Sequence, residues 1–352
     1  MIAGRVVVAA DMAMLQRLLA AMRQVQHGYW RLTMIDILAV TTPLFALVAA
    51  GWLAAQRGLV PSAAIPGMNH YVLYLALPCM LARLVMNTPV SQLLHPGLLA
   101  AYGLAAVLMV SAATALALAC RARLVDAAFG ALVTAFPNSG FMGVPLLVAW
   151  LGPSAAGPVI GSLLVDFLFT STLCVALSQA RSGTGGMWHT AGRALRGALA
   201  NPLPWAITLG AVLSIRQGHL PGPLDTLSRM LADSASPVAL FTMGVVLWRP
   251  VPASGTAAPR RDVVPLAAMK LLLHPALVLA CGTAMPLLGL ALPAAELKVL
   301  VLSAALPGAS NVALLTERYG ADTGRVARII LVSTVLAFGS FSTLAWWLGT
   351  SR

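Results

Sequence analysis

Ten runs of largely apolar residues follow one another along the chain, at 37–55, 68–87, 97–120, 127–150, 155–179, 202–217, 232–248, 264–288, 294–316 and 326–348. A helix needs about 20 such residues to cross the hydrocarbon core of a bilayer. Inside that core only helices and closed barrels satisfy every backbone N–H and C=O. Composition narrows the choice further: 59% of residues are hydrophobic and 9% charged, where a soluble domain carries about 25% charged residues. A soluble fold would have almost no polar surface to wrap around its core, so that class is excluded. The fold class expected is an all-α polytopic membrane protein with ten transmembrane helices. The sixth run is short, and Arg229 and Asp233 intrude at the start of the seventh. The longest polar linkers, 181–200 and 249–262, are too short to be domains.

The formal charge of +12 comes from arginines placed in gaps between the runs. No aromatic residues interleave with them as in a nucleic-acid surface, so no nucleic-acid partner is expected. Gaps after the odd-numbered runs hold eleven arginines, among them Arg121, Arg123, Arg249, Arg260 and Arg261. Gaps after the even runs and the C-terminal tail hold Arg216, Arg229 and Arg352. The positive-inside rule then makes the odd gaps cytoplasmic, with both termini on the outer side of a bacterial inner membrane. Residues 1–33 break this pattern, since Arg5, Arg17, Arg23 and Arg31 would lie outside. Three readings account for them: a misassigned upstream extension with Met34 as the natural start, an amphipathic interfacial helix, or a signal peptide. Cys79, Cys120, Cys174 and Cys281 sit in or at the ends of apolar runs without CxxC spacing, which reads as packing.

The two halves resemble each other. Gly58–Pro61 (GLVP) matches Gly218–Pro221 (GHLP), and Pro78 answers Pro237. Beyond the 249–262 linker the offset lengthens, pairing Asp126 with Glu296, Leu132 with Leu302 and Pro137 with Pro307. Residues 34–180 and 201–352 thus read as two five-helix repeats joined by a cytoplasmic linker at 181–200. Five is odd, so the copies cross the membrane in opposite senses, the inverted-repeat design of secondary transporters.

Corresponding runs carry helix breakers. Run 4 contains FPNSGFMGVP (136–145) and run 9 contains ALPGASN (305–311). Proline removes a donor and clashes with the preceding turn, and lipid cannot satisfy the groups a break sets free. One reading is a simple proline kink. The other is a substrate site at two crossing broken helices, whose half-helix N-termini attract an anion. The candidate substrate-binding residues are Pro137, Asn138, Ser139 and Gly140 in run 4, with Pro307, Gly308, Ser310 and Asn311 in run 9.

The stretches PNSGFMGVPLL (137–147), ALPGASNVALLTERYG (305–320) and MIDILAVTTPLFALVAAGWLAAQRG (34–58) resemble the auxin efflux carrier family over about residues 34–350. Its bacterial members include proteins named as malonate transporters, and it is similar to the bile-acid/sodium symporter superfamily. The resemblance implies ten spans in two inverted repeats and a dimer-forming scaffold of spans 1, 2, 6 and 7. It also implies a mobile domain of spans 3–5 and 8–10, with crossover residues at Pro137, Asn138 and Pro307. The plant members' Asn-Pro-Asn crossover is Phe136-Pro137-Asn138 here, which argues against auxin itself as substrate.

Ionisable residues within the runs are costly, about 2.5–3.5 kcal/mol at mid-membrane even on insertion scales. Lys270 and His274 in run 8 stand one turn apart on one face, where an ammonium would attract a carboxylate substrate; the alternative is a snorkelling lysine. Asp166 in run 5 is a candidate for the coupling proton or sodium ion, or a neutralising partner of Lys270 or Arg83. Arg83 is expected to snorkel, Gly157 and Gly161 to pack helices, and Trp346 and Trp347 to anchor at an interface. No HExxH, GxSxG or catalytic carboxylate pair is present, so no enzyme, metal or cofactor is expected. The function expected is a carrier of small organic anions working by alternating access; the rival is a membrane sensor that binds without transport.

Overall fold

A computed structural model of the protein describes residues 34–61, 63–180, 192, 202–218, 220–248 and 261–350. Residues 1–33, nearly all of the 181–200 linker and 249–260 lie outside the described residues. The architecture is all-helical. In chain order the helices are α1 (Met34–Gln56), α2 (Ala64–Met86), α3 (Pro96–Ala119), α4a (Leu124–Ala135), α4b (Ser139–Leu151) and α5 (Pro153–Gln179). They continue as α6 (Pro202–Ile215), α7 (Gly222–Trp248), α8 (Val263–Leu288), α9a (Ala294–Ala304), α9b (Val312–Arg318) and α10 (Thr323–Thr350). Among the described residues, six helices are long and apolar enough to cross a membrane: α2, α3, α5, α7, α8 and α10.

Two helix groups form. α1 packs along α7, and α2 lies against α6 and α7; α3, α4a, α5, α8, α9a and α10 pack on one another around the two breaks. The α1–α7 contact is close enough that a Cβ on Gly244 would run into the Val48 carbonyl, and one on Gly51 into that of Phe241. Small residues let helix backbones approach in this way where lipid supplies no hydrophobic drive.

Several helices contain a widened π turn: α2 at Val72–Ala76, α4b at Ser139–Gly143, α5 at Val165–Thr170 and α8 at Met269–Leu273. Such a turn inserts one extra residue and re-aims the side chains around it. In α5 and α8 the re-aimed turns carry Asp166 and Lys270.

Three expectations are corrected. α7 begins at Gly222, ten residues ahead of the expected 232, because its early charges are paired: Asp225 accepts from Arg83 at 2.5 Å and from Arg229 at 2.8 Å. Arg83 therefore ties α2 to α7, with Ser228 also accepting from it at 2.9 Å, and is not a snorkelling side chain. Arg325, one of the eleven arginines expected in cytoplasmic gaps, is buried at the start of α10. Its Nε and one terminal nitrogen both donate to Oδ2 of Asp262 at the foot of α8, and its other terminal nitrogen donates to the Asp126 carbonyl of α4a. A buried arginine needs a carboxylate and further acceptors of this kind to offset its desolvation. The described cysteines are free thiols, with Cys174 and Cys281 buried in the packing and Cys120 exposed where α3 ends.

Candidate functional site at the crossing helix breaks

α4a stops at Ala135 because Pro137 follows. Phe136 is extended, with φ −102° and ψ 101°, as the residue before a proline prefers. α9a stops at Ala304, ahead of Pro307. The freed backbone groups then satisfy each other. Asn138 N–H donates to the Pro307 carbonyl at 2.8 Å, and Ala309 N–H donates to the Phe136 carbonyl at 3.0 Å. Pro137 and Gly308 thereby form an isolated antiparallel bridge where the two chains cross. Gly308 has no room for a side chain: a Cβ there would lie 2.9 Å from both the carbonyl oxygen and a methyl of Val133.

Side chains reinforce the crossing. The Ser139 and Ser303 hydroxyls hydrogen-bond at 2.7 Å, and Ser333 Oγ of α10 accepts the Gly308 N–H at 3.2 Å. Asn138 is buried, its amide facing Met243 Sδ of α7 at 3.6 Å, a weak partner for so polar a group. Gly140, Phe141, Ser310 and Asn311 are half-buried at the ends where the second half-helices begin. Asn311 Oδ1 is buried there without a hydrogen-bond partner.

Behind the crossing lies a polar cluster. Lys270 Nζ donates to the Ala304 carbonyl at 2.7 Å and stands 2.8 Å from His274 Nδ1. The Tyr102 ring of α3 lies 5.9 Å from that of His274, and its hydroxyl donates to Asp166 at 3.0 Å. Thr170 donates to the other Asp166 oxygen at 3.3 Å. All of these side chains are buried, so Lys270 does not snorkel.

The structure thus brings Pro137 and Asn138 against Gly308 and Pro307, ties Ser139 to Ser303, and seats Lys270 on the carbonyl end of α9a with His274 beside it. Asp166 is held by the hydroxyls of Tyr102 and Thr170, and the Arg83 guanidinium by Asp225 instead. Sequence reasoning missed Tyr102, Ser303, Ser333 and Met243. Only Tyr102 carried a signal, as a lone phenol in an otherwise apolar run whose hydroxyl needs a partner when buried. Among the described residues no three His, Cys, Asp or Glu side chains gather as metal ligands.

Two discontinuous helices crossing inside an all-helical, membrane-embedded molecule define a membrane transport protein. The profile of the family described as "Membrane transport protein" matches residues 37–346, and the chain belongs to that family. A Rhizobium meliloti (strain 1021) protein named "Putative malonate transporter" is 30% identical over 318 residues, covering 89% of this chain and 96% of that protein. The "Uncharacterized transporter YfdV" of Escherichia coli (strain K12) is 26% identical over 229 residues, covering 64% of this chain and 69% of its own. These relatives are named as transporters, not enzymes.

Proposed function

We propose that the protein is a secondary active carrier of small organic anions, carboxylates such as malonate, working by alternating access of the elevator type. One observation carries this reading: two helix breaks bridged at Pro137 and Gly308, with half-buried polar residues at the emerging half-helices. The N-terminal turn of α4b supplies free N–H groups and a partial positive charge for a carboxylate. Gly140 lets the anion approach that backbone, and the Ser139 and Ser310 hydroxyls complete the contacts with the Asn311 Nδ2 group, whose Oδ1 has no partner of its own. Lys270 and His274 lie behind the crossing, where the ammonium adds positive charge through the Ala304 carbonyl rather than touching the substrate. Pro137, Pro307, Gly308 and the Asn138 backbone keep the two breaks together, while the Asn138 side-chain amide, facing only the Met243 sulfur, joins the substrate contacts. Asp166, held by Tyr102, places the negative charge that a coupled cation needs on this side of the crossing.

In this reading the chain spans the bacterial inner membrane ten times in two inverted repeats, with both termini periplasmic. The α1, α2, α6 and α7 group is a static scaffold that pairs with a second copy. The group built around the crossing moves past it as a body, and Met243 facing Asn138 lies on the sliding surface. The malonate named for the Rhizobium relative gives the first substrate to try.

The test is uptake of labelled malonate by the purified protein in liposomes, with other dicarboxylates as competitors. Saturable accumulation competed by dicarboxylates, and not by amines, is expected. Binding without accumulation would instead make the protein a sensor, and neither binding nor accumulation of any carboxylate would overturn the substrate class.

A further inference from the structure

The carbonyl of Ala304 is one that its own helix cannot satisfy. Three residues on stands Pro307, which has no N–H, and four residues on the Gly308 N–H is given to Ser333. A bare carbonyl at the negative end of a half-helix is a cation seat. In secondary transporters, broken-helix carbonyl ends of this kind coordinate the coupling ion. Here the chain fills the seat with its own ammonium, that of Lys270 at 2.7 Å. Beside it, His274 turns Nδ1 towards Lys270 at 2.8 Å while its buried Nε2 has no partner at all.

Few other ionisable groups face this pair. α3 brings Tyr102, and the wide turn of α5 brings Asp166, which Tyr102 holds. The first turns of α8, Val263–Ala268, carry none. On α9a, Lys298 and Glu296 lie more than a turn ahead of Ala304. Arg325 of α10 is engaged with Asp262 at the foot of α8, and the Asp126 carboxylate of α4a with Arg123.

Resting on the carrier reading, we propose that Lys270 is a resident cation in the seat of a coupling ion, and that the Lys270–His274 pair takes up and returns one proton per transport cycle where other carriers use sodium. Unloaded, Lys270 is a neutral amine that donates one N–H to Ala304 and accepts the Nδ1–H of His274. A proton arriving at Nε2 forms an N–H bond there, and the Nδ1 proton passes to Lys270. The loaded pair is an ammonium donating to both Ala304 and the Nδ1 lone pair, with the histidine proton now on Nε2. Reversing the two transfers returns the proton to water when the site opens on the other side. Asp166, across Tyr102, supplies the counter-charge of the loaded state.

The experiment has two arms. In liposomes, malonate uptake is measured with sodium replaced by choline, and with an imposed gradient of protons or of sodium. Uptake is expected to be unchanged in choline, accelerated by the proton gradient and indifferent to the sodium gradient. Lys270→Met and His274→Gln are each expected to slow the proton-driven rate by about tenfold or more, since a positioned proton carrier contributes about that much or more. Acceleration by sodium, or a full proton response in either variant, overturns the proposal and leaves the carrier reading standing. The second arm needs no substrate and decides the matter if malonate does not move. The unfolding midpoint of the detergent-solubilised protein is expected to be equal in sodium and choline chloride. It is expected to fall in Lys270→Met, which leaves Ala304 without a donor, and to hold in His274→Gln, which keeps an acceptor for Lys270. Stabilisation by sodium, or a Lys270→Met midpoint equal to that of the wild type, overturns the resident cation.

Discussion

Asn138 gives its backbone N–H to the carbonyl of Pro307 at 2.8 Å, so each proline-made break is repaired by the other. Neither helix could bury its break alone, because a freed backbone group in an apolar interior costs more than a hydrogen bond returns. The crossing is therefore one unit in energetic terms, and damage on either strand is expected to be felt by both.

Gly308 is the tightest point of that unit. Gly308→Val places a Cβ 2.9 Å from the Val133 backbone and forces the strands apart, a cost of about 1–3 kcal/mol for overpacking. Gly140→Ala meets nothing nearer than 3.8 Å and is expected to leave the unfolding midpoint unchanged. Thermal unfolding of the two variants in detergent checks this. Equal midpoints would show that the strands can part at no cost.

Asn138→Ala is expected to reduce malonate uptake more than it reduces stability. The amide it removes has only the Met243 sulfur as partner at 3.6 Å, so folding loses little. Uptake at matched protein density, set beside the unfolding midpoint, separates the two effects. Full uptake in a well-inserted variant would take Asn138 out of the site.

Asn311→Asp puts a negative charge at the half-buried end of the crossing, where Oδ1 already lacks a partner. An anion arriving there would be repelled, and the apparent affinity for malonate is expected to fall by about tenfold, the equivalent of about 1.4 kcal/mol. Asn311→Ser, neutral and smaller, is expected to fall less. Affinities from uptake kinetics give the comparison, and an Asp variant as good as wild type would place the anion elsewhere.

Arg325 is expected to be the most sensitive position outside the crossing. Arg325→Met strands the buried Asp262 carboxylate, and breaking one side of a buried pair costs about 3–5 kcal/mol. Arg325→Lys cannot reproduce the fork and is expected to recover only part of the loss. The Arg325→Met, Asp262→Leu double variant should lie well above the sum of the single losses. Strict additivity would mean that the two side chains are not energetically coupled.

Much of the fold was legible in the sequence because its main signal is local. Apolar runs mark helices, and prolines at 137 and 307 mark where two of them stop, since a proline breaks a helix wherever it stands. Lys270 and His274 were likewise paired by helical spacing alone, one turn apart on one face. Those features belonged to the sequence by itself.

Which partner each polar group finds was decided only by the tertiary structure. Arg83 meets Asp225, Tyr102 meets Asp166, Arg325 meets Asp262, and Lys270 meets a backbone carbonyl, where the sequence offered a substrate, a water interface or Asp166 as its partner. These runs are apolar on nearly every side, so no amphipathic face in the sequence shows how each helix is rotated or which neighbour it meets. The Ala304 seat was hidden for a further reason. A backbone carbonyl is the same at every residue, and only the folded chain shows which one has lost its donor to Pro307 and Ser333 and stands within reach of an ammonium.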